Sequence, residues 1–389
     1  MKETLSYALA TPYAVAKNRA GGILSRLLSR TDLELVGASM IAADEAFAKK
    51  YAGALRGRLP SAEAELLAGY AEQSLPSPAG QPRCGMLLLF RGESPCAKLR
   101  EACGEISGLL AGSRGMPDGT VRGAYGEFAE EPGRASHFEP AVLTPGSQAE
   151  ADEDLLMMAA FLGGRELMAP GSPGAERTLA IIKPDNWEPR SSRPGAVMDM
   201  LARPGLRIAG AKMHGFSPAQ AMEFYAPVKA ALREKLSGAF GRRAAGVLER
   251  EFGFAPGEDA SRALAETFGA ECAAREFDRL VGFMSGRSPA GASERELGMP
   301  GGAKCMILVY EGEGAVAKIR AALGPTNPAD APPGTVRGEF GASVMINAAH
   351  ASDSAESYLR EGEILRIGEN PLSGIVLESL GAGPAAGRD

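Results

Sequence analysis

The sequence is poor in the residues that most often bind transition metals. It has three histidines and five cysteines in 389 residues, and the cysteines form no C-x-x-C pair. This pattern excludes zinc-finger spacing and favours a reduced, cytoplasmic chain. No apolar run approaches the length of a membrane-spanning helix, and the first residues lack the apolar core of a signal peptide. We therefore expect neither a membrane span nor a leader.

An excess of positive charge is also absent. The chain has 42 basic and 48 acidic residues, for a formal net charge of −6, so it carries no basic footprint for nucleic acid or an acidic membrane. There is no G-x-x-x-x-G-K-[ST] loop, which excludes ATP chemistry of the P-loop type. The segment Gly312-Glu-Gly314 resembles a dinucleotide fingerprint, but a tight strand-to-helix turn is the better interpretation of these glycines.

An internal repeat divides the sequence. Three segments of the first half recur in the same order in the second half. Residues 33–40 match 206–213, residues 86–100 match 306–320, and residues 119–123 match 334–338. Collinear repeats predict a tandem duplication of one domain. We place the first copy at residues 1–168 and the second at 175–380, joined by a Pro- and Gly-rich linker. The second copy has insertions at about 226–276, with helical periodicity, and at 287–303, rich in Gly and Pro.

The order of elements in each copy is strand, helix, strand, helices, strand, helix, long loop, strand, helix. In the second copy the patterns predict strands at 179–182, 206–213, 306–310 and 344–346, and helices at 196–202, 218–225, 315–323 and 354–365. This is a β-α-β-β-α-β arrangement with added helices, the ferredoxin-like pattern. The predicted class is α+β, an α/β sandwich with two ferredoxin-like domains and antiparallel sheets.

The segment from Asn347 to Glu356 is the most informative part of the chain. It follows the predicted strand at 344–346 and opens a helix with Ser and Asp as caps, and Glu356 lies at capping-box spacing from Asp353. We therefore expect His350 in the connection ahead of a helix N-terminus, where backbone N–H groups favour anions. Such a histidine is well placed to accept a phosphoryl group. On this segment alone, a histidine that only hydrogen-bonds locally remains the alternative.

The remaining motifs of the second half decide between these interpretations. They are Ile181-Ile-Lys183-Pro-Asp185, Glu223-Phe-Tyr225, Phe277-Asp-Arg-Leu-Val, Ala317-Lys-Ile-Arg320, Thr326-Asn-Pro328, Gly334-Thr-Val-Arg337-Gly and Asn347-Ala-Ala-His350-Ala-Ser-Asp-Ser. This ordered set, over roughly residues 176–370, closely resembles the nucleoside diphosphate kinase family. Several matches at fixed separations are far more specific than one short pattern.

The resemblance implies a role for each matching residue. His350 would be the nucleophile that becomes phosphohistidine, with Lys183, Tyr225, Glu361 and Ser352 completing the catalytic set. The nucleotide-binding residues would be Lys183, Arg320, Thr326, Arg337 and Asn347. The chain would supply no metal ligand, because Mg²⁺ would be held mainly by the nucleotide phosphates. Glu276 stands where the family has its base-stacking aromatic residue, so Phe277 or a residue of the insertion would take that role.

The first copy has lost the corresponding positions. Aligned on Gly-Thr-Val-Arg-Gly, Ala135 corresponds to His350 and Pro132 to Asn347, while Thr11-Pro-Tyr corresponds to Lys183-Pro-Asp. Alanine has no group that carries a phosphoryl group. His137 lies close by in sequence, but it lacks the Asn and Ser-Asp-Ser surroundings. We predict a catalytically inactive first copy.

The combined prediction is a cytoplasmic tandem nucleoside diphosphate kinase that works by a ping-pong mechanism with Mg²⁺ and nucleoside di- and triphosphates. We expect no nucleic-acid or membrane partner. The alternative is a non-catalytic nucleotide-binding regulatory or scaffold protein, which Glu276, the insertions and the altered first copy favour. The first copy keeps its apolar segments 33–40 and 86–90. We therefore predict a pseudo-dimer in which it stabilises the second copy, unless the chain forms a homo-oligomer.

Overall fold

The structure is a computed structural model that describes residues 3–58, 61–77, 83–110, 119–131, 134–169, 171 and 174–381. The chain forms two compact units. One contains Met1–Met213 and Met306–Asp389, and the other contains His214–Cys305. Both copies of the repeat therefore contribute to the first unit. The predicted domain limits at 168 and 175 stay a prediction, and linker residues 170, 172 and 173 lie outside the described residues.

The first copy contains six strands and eight helices within the described residues. The strands are β1 (Thr4–Ala10), β2 (Glu34–Ile41), β3 (Gly85–Gly92), β4 (Glu127–Glu131), β5 (Arg134–Glu139) and β6 (Val142–Leu143). The helices are α1 (Pro12–Ala16), α2 (Ala20–Arg30), α3 (Glu45–Arg58), α4 (Ser61–Ser74), α5 (Pro95–Cys103), α6 (Ile106–Leu110), α7 (Val121–Tyr125) and α8 (Gln148–Leu162).

The second copy follows the same order with the helical insertion in its middle. Its strands are β7 (Glu176–Ile182), β8 (Arg207–His214), β9 (Cys305–Gly312) and β10 (Ala349–Ala351). Its helices are α9 (Arg193–Ala202), α10 (Pro218–Phe224), α11 (Ala226–Phe252), α12 (Glu258–Leu264), α13 (Ala270–Ser285), α14 (Glu294–Gly298), α15 (Ala315–Leu323), α16 (Val336–Phe340), α17 (Ala355–Ile364) and α18 (Leu372–Ser379). Short 3₁₀ turns lie at Pro184–Asn186 and Pro328–Asp330, and a π-helical turn at Ala265–Gly269.

Each copy builds one four-stranded sheet, and the two sheets have the same strand order. The order is β2-β3-β1-β6 in the first copy and β8-β9-β7-β10 in the second. The pairs β1–β3, β1–β6, β2–β3, β7–β9 and β7–β10 are all antiparallel. These sheets with their covering helices confirm the α+β, ferredoxin-like prediction.

Strand alternation buries both faces of the first sheet. Ala8 and Ala10 of β1 belong to one apolar core, and Tyr7 and Leu9 belong to another on the opposite face. Successive side chains of a strand point to opposite faces, so a mostly apolar strand fits between two layers of helices. The first core also contains residues of β7, β9 and α9, and therefore extends over both copies.

Helices α2 and α9, one from each copy, pack closely against each other through small residues. A Cβ atom on Gly195 would overlap the backbone carbonyl of Gly21, and a Cβ on Gly21 would overlap Asp199. Each helix also reaches the start of the other. Ser25 Oγ donates to the carbonyl of Ser192, the residue before α9, at 2.9 Å, and Asp199 accepts from the N–H of Gly22 in the first turn of α2. These contacts join the two copies within the first compact unit.

The C-terminal helix α18 packs on the first copy. Leu372 and Val376 are buried in the second core beside Leu155 and Met158 of α8, and Ser373 Oγ donates to the carbonyl of Ala159 at 2.8 Å. The apolar residues 155–162 form the end of α8. A segment of the second copy therefore completes the apolar core of the first.

The compact unit formed by residues 214–305 is helical, as predicted for residues 226–276. Its long helix α11 packs against α13 and against the π-helical turn. The contact with the turn is close and is made by small residues: a Cβ on Gly241 would overlap Ala265, and a Cβ on Gly269 would overlap the carbonyl of Ser237. The Gly- and Pro-rich stretch 287–303 contains the short helix α14, with a capping box from Ser293 to Glu296.

Candidate active site

His350 lies in the middle of β10, where it pairs with Ile181 of β7. The predicted strand at 344–346 is wrong, because this segment is a series of bends and the strand begins only at Ala349. The backbone there bonds to side chains instead of a strand ladder. Lys183 Nζ donates to the carbonyl of Met345 at 3.2 Å, and Asn347 Nδ2 donates to that of Val344 at 3.0 Å.

The helix after His350 has Ser354 as its N-cap, and not Asp353, from which the capping-box spacing to Glu356 was counted. Ser354 is the N-cap of α17, and its hydroxyl accepts from the N–H of Ser357. Asp353 instead accepts from the Ser357 hydroxyl at 2.5 Å. Because Ser354 has an extended backbone and a hydroxyl that reaches the first turn, it takes the capping position. His350 therefore lies in a strand, with Ala351, Ser352 and Asp353 between it and the cap.

His350 forms a polar cluster with Glu361 and Ser352. His350 Nε2 is 3.1 Å from both carboxylate oxygens of Glu361, and Ser352 Oγ donates to Glu361 Oε2 at 2.7 Å. Glu361 and Ser352 are buried, whereas the His350 side chain is 22% exposed. A carboxylate accepts hydrogen bonds, so it favours the tautomer that carries the proton on Nε2. In that tautomer the lone pair of the neutral ring is on Nδ1.

Lys183 and Asn347 form a second buried cluster at the ends of β7 and β10. Lys183 Nζ donates to Asn347 Oδ1 at 2.6 Å, and Asn347 Nδ2 also donates to the carbonyl of Thr326 at 3.0 Å. Both side chains are buried, and Thr326 is exposed. The positive φ of Ala348, 66°, turns the chain between Asn347 and the strand that carries His350. Three of the predicted nucleotide-binding residues are thus brought together.

Arg337 is buried at the start of α16 and bonds to backbone carbonyls. Its Nη1 donates to Gly324 at 2.9 Å and its Nη2 to Ala349 at 3.1 Å. Arg122 of the first copy has the same arrangement, with donors to Gly104 and to Val142, the latter at 3.0 Å. An arginine kept in both copies with the same carbonyl partners has a structural role in tying the loop before α16 to the last strand.

Arg320 is exposed on α15 and lies near the residues that follow His350. The pKa of Asp353 is held below its ordinary value, first by the hydrogen bond from Ser357 and further by the positive charge of Arg320. Arg320 is thus close enough to influence the charge of this region electrostatically. It adds a positive charge beside the strand that carries His350.

Tyr225 and Phe277 lie in the helical unit and are described within it alone. Tyr225 directly follows α10, is buried, and contacts the Phe224 ring with centroids 4.9 Å apart. Phe277 is 3% exposed, and the Lys229 ammonium lies 5.3 Å from its ring centroid. The roles given to both residues stay predictions, and the Phe277 ring would have to leave the interior before a base could stack on it.

The first copy has Leu143, not Ala135, at the position of His350. The N–H of Thr11 donates to the carbonyl of Ala141, and in the second copy the N–H of Lys183 donates to the carbonyl of Ala348 in the same way. Leu143 lies two residues after Ala141, as His350 lies two residues after Ala348. The strand register therefore makes Leu143 the counterpart of His350. The predicted alignment is wrong here because the β4–β5 hairpin lengthens the preceding loop and contains Ala135. By the same register, Pro140 is the counterpart of Asn347. Pro132, which the sequence alignment had paired with Asn347, lies outside the described residues.

Carboxylates replace the positive groups around this site in the first copy. Glu139 is buried and accepts from Thr11 Oγ1 at 2.6 Å and from Tyr70 at 2.7 Å, and its burial raises its pKa. His137 lies in β5, where its Nε2 is 3.2 Å from Glu127. A buried carboxylate next to Thr11, in place of the Lys183 ammonium, removes the charge that would attract a phosphate.

Two polar residues of the second copy were not among the residues predicted from the sequence. Asn186 is buried and donates to the carbonyls of Lys183 and Ala348 at 3.0 and 2.7 Å. Lys212 is a buried lysine in β8. For Lys212, the sequence does contain a signal, namely a lysine inside an otherwise apolar strand. Within the described part of the chain, no group of three or more His, Cys, Asp or Glu side chains is arranged to hold a metal ion.

Comparison with known proteins identifies the family. The sequence model described as "Nucleoside diphosphate kinase" matches residues 296–366. A nucleoside diphosphate kinase from Ruegeria sp. (strain TM1040) is 34% identical over 186 residues, which cover 48% of this chain and 89% of that protein. The chain belongs to the nucleoside diphosphate kinase family. Another nucleoside diphosphate kinase, from Campylobacter concisus (strain 13826), is 32% identical over 48% of this chain and 91% of its own length.

Solved structures of nucleoside diphosphate kinases also match the chain. The enzyme from Aquifex aeolicus has 27% identity and a TM-score of 0.30, and covers 49% of this chain and 94% of its own. The one from Encephalitozoon cuniculi has 21% identity and a TM-score of 0.33, and the match covers 50% of this chain and 90% of that one.

Among the helices that the structure describes, none combines the length and the apolar character needed to cross a bilayer.

Proposed function

We propose that the chain is a nucleoside diphosphate kinase that transfers the γ-phosphoryl group of a nucleoside triphosphate to a nucleoside diphosphate through a phosphohistidine at His350. The cluster of His350, Glu361 and Ser352 carries this proposal. With the proton on Nε2 held by Glu361, the lone pair of His350 is on Nδ1, the nitrogen that would attack the γ-phosphorus. The P–O bond to the leaving diphosphate breaks as the N–P bond forms, and the second diphosphate reverses the step.

The remaining residues would bind and neutralise the phosphates. Phosphoryl transfer requires positioning and charge neutralisation more than covalent chemistry by the protein. Lys183 and Arg320 would supply positive charge, Arg337 a guanidinium, and Thr326 and Asn347 polar groups toward phosphate and sugar. Tyr225 would have the catalytic role that the family resemblance implies for it. Mg²⁺ would enter as part of the nucleotide substrate, which fits a site whose residues are cationic and not a carboxylate cluster.

The proposed division of labour assigns catalysis to residues 175–380 and a non-catalytic role to residues 1–168. Leu143 at the position of His350 and Glu139 beside Thr11 support this division. We expect no phosphoryl transfer by the first copy, because leucine has no nucleophile. The cytoplasmic location and the oligomeric state remain predictions.

The decisive experiment is exchange of a labelled γ-phosphoryl group between ATP and a second nucleoside diphosphate. Wild type should form an acid-labile, alkali-stable phosphoprotein and exchange the label, and His350→Ala should do neither. His137→Ala is the matched control, because this exposed histidine lies in the first copy, and it should behave as wild type. Nucleotide binding without exchange by wild type would instead favour the regulatory or scaffold function, and labelling of His350→Ala would exclude His350 as the nucleophile.

A further inference from the structure

Lys212 is a buried cation in β8 with two specific partners. Its side chain is 6% exposed, and Nζ lies 3.0 Å from each of the carbonyl oxygens of Leu365 and Arg366. Burial lowers its pKa. An ammonium group loses much solvation in such a place, so its presence requires compensating partners. The two carbonyls supply them.

These carbonyls belong to the C-terminal end of α17, the helix that carries Glu361. Leu365 is the C-cap, and its N–H bonds to the carbonyl of Glu361. Arg366 has a positive φ of 49°, which ends the helix. The last carbonyls of a helix lack partners within it, and the helix dipole favours a cation there. Lys212 therefore fixes the last turn of α17 to β8, and Glu361 lies one turn earlier.

The first copy provides an internal comparison. Ser39 is the counterpart of Lys212 in the repeated segments 33–40 and 206–213, and its hydroxyl accepts from Asn370 Nδ2 at 2.9 Å. Asp154 is the counterpart of Glu361, since each lies seven residues after the N-cap serine of its helix, Ser147 or Ser354. Asp154 bonds to Tyr7 and Arg58. Of the two copies, the buried lysine occurs only in the one that has the histidine–glutamate pair.

We propose that Lys212 is a positioning residue for phosphoryl transfer, which holds the last turn of α17 so that Glu361 keeps His350 in the tautomer protonated on Nε2. The inference rests on the proposed function. The charged neighbours that face the ammonium are Glu369 and Arg366, and neither contacts His350 in the described hydrogen bonds. A purely structural lysine would change stability and leave the state of the His350 ring unchanged, and this difference makes the proposal testable.

The experiment uses the full-length chain with ¹⁵N-labelled histidine. The chain has three histidines, so the His350 signals are assigned by their loss in His350→Ala. Lys212→Met should lower the share of the Nε2–H tautomer of His350 and reduce kcat by up to roughly tenfold, with little change in KM, because Lys212 acts only through Glu361. Lys212→Arg keeps the charge and should restore most of the tautomer and the rate.

The matched control is Ser39→Ala, at the corresponding position of the first copy, which should alter neither the tautomer nor kcat. If Lys212→Met does not fold, Lys212→Gln replaces it, since its amide donates to one of the two carbonyls and should have a smaller effect in the same direction. An unchanged tautomer in folded Lys212→Met, or in Lys212→Gln where it replaces Lys212→Met, overturns the proposal, whatever happens to stability. If wild type shows no exchange at all, the proposed function fails, and the tautomer measurement still decides whether Lys212 positions the ring.

Discussion

Leu143 occupies in the first copy the strand position that His350 occupies in the second. Both residues pair with the second-last residue of the central strand, Leu9 or Ile181, and both are followed by a serine-capped helix with a buried carboxylate seven residues into it, Asp154 or Glu361. The duplicated fold has therefore kept the frame of the site in both copies. Only the second has the imidazole that this frame would orient.

Glu361→Gln should reduce phosphoryl exchange. The amide oxygen still accepts a hydrogen bond, but the group no longer has two equivalent anionic acceptors for Ser352 and His350. We expect kcat to fall roughly 10- to 100-fold, by analogy with the loss of carboxylates that orient metal-binding histidines. The measurement is steady-state exchange between two nucleotides. Glu363→Gln removes an exposed carboxylate from the same helix and should leave kcat unchanged, and equal effects of the two substitutions would contradict the role of Glu361.

The sequence predicts those parts of the fold whose local pattern agrees with the tertiary structure. The helix predicted at 315–323 has the observed bounds of α15, and the strand–helix turn at Gly312-Glu-Gly314 is confirmed by the left-handed Gly314. Its counterpart Ser94 also has a positive φ, 50°. Here the turn and the apolar spacing specify the same structure, which is the condition for a reliable local prediction.

The sequence does not predict what depends on long-range partners. Residues 344–346 are apolar enough for a strand, but the carbonyl of Met345 accepts a hydrogen bond from Lys183, which lies 162 residues away in the sequence. The alignment of Ala135 with His350 failed because a hairpin lengthens the loop, and only pairing with β1 reveals the register. The role of Lys212 likewise depends on a contact with residues 365 and 366. Such contacts leave no periodic signal in the sequence.

Arg122→Met should destabilise the protein although the first copy has no nucleophile at the site. Arg122 is buried, and its guanidinium satisfies the carbonyls of Gly104 and Val142. Loss of both donors should lower the free energy of unfolding by about 2 kcal/mol, because two acceptors would stay buried without partners. Thermal unfolding followed by circular dichroism measures this. Arg100→Met removes an exposed ion pair with Glu105 and an exposed hydrogen bond to the carbonyl of Gly146. It should change stability by less than about 0.5 kcal/mol, and a loss as large as that of Arg122→Met would refute the structural assignment.

The contact between the copies should make stability depend on pH through Asp199. Burial raises the pKa of this carboxyl from 3.8 to about 6. The folded state then binds the proton more tightly than the unfolded state, so this group stabilises the fold most at acidic pH, and its contribution is lost as pH rises through about 6. The effect is on the order of 1 kcal/mol for a half-buried group that solvent partly screens.

Asp199→Asn isolates this effect from the other carboxylates. The asparagine oxygen still accepts from Gly22, but it does not titrate. The difference in unfolding free energy between wild type and Asp199→Asn, measured by urea denaturation between pH 4 and 7, should therefore shift in favour of wild type as pH falls. Carboxylates such as Asp32 and Asp353, whose pKa values are lowered, act in the opposite direction in both proteins and cancel. A difference that stays constant with pH would show that Asp199 does not titrate in this range.

The packing of α2 against α9 predicts that the second copy depends on the first for stability. A Cβ on Gly195 would overlap the Gly21 carbonyl and crowd Ser25, so Gly195→Ala should force the helices apart and lower the free energy of unfolding by about 1–3 kcal/mol. Gly53→Ala is the matched control, because that helical glycine has no neighbour within 4 Å of its Cβ position, and it should raise stability by roughly 0.5–1 kcal/mol. If the first copy stabilises the second, Gly195→Ala should also lower the temperature at which nucleotide exchange is lost. Lower unfolding stability together with unchanged heat inactivation of exchange would mean that the second copy functions independently of this interface.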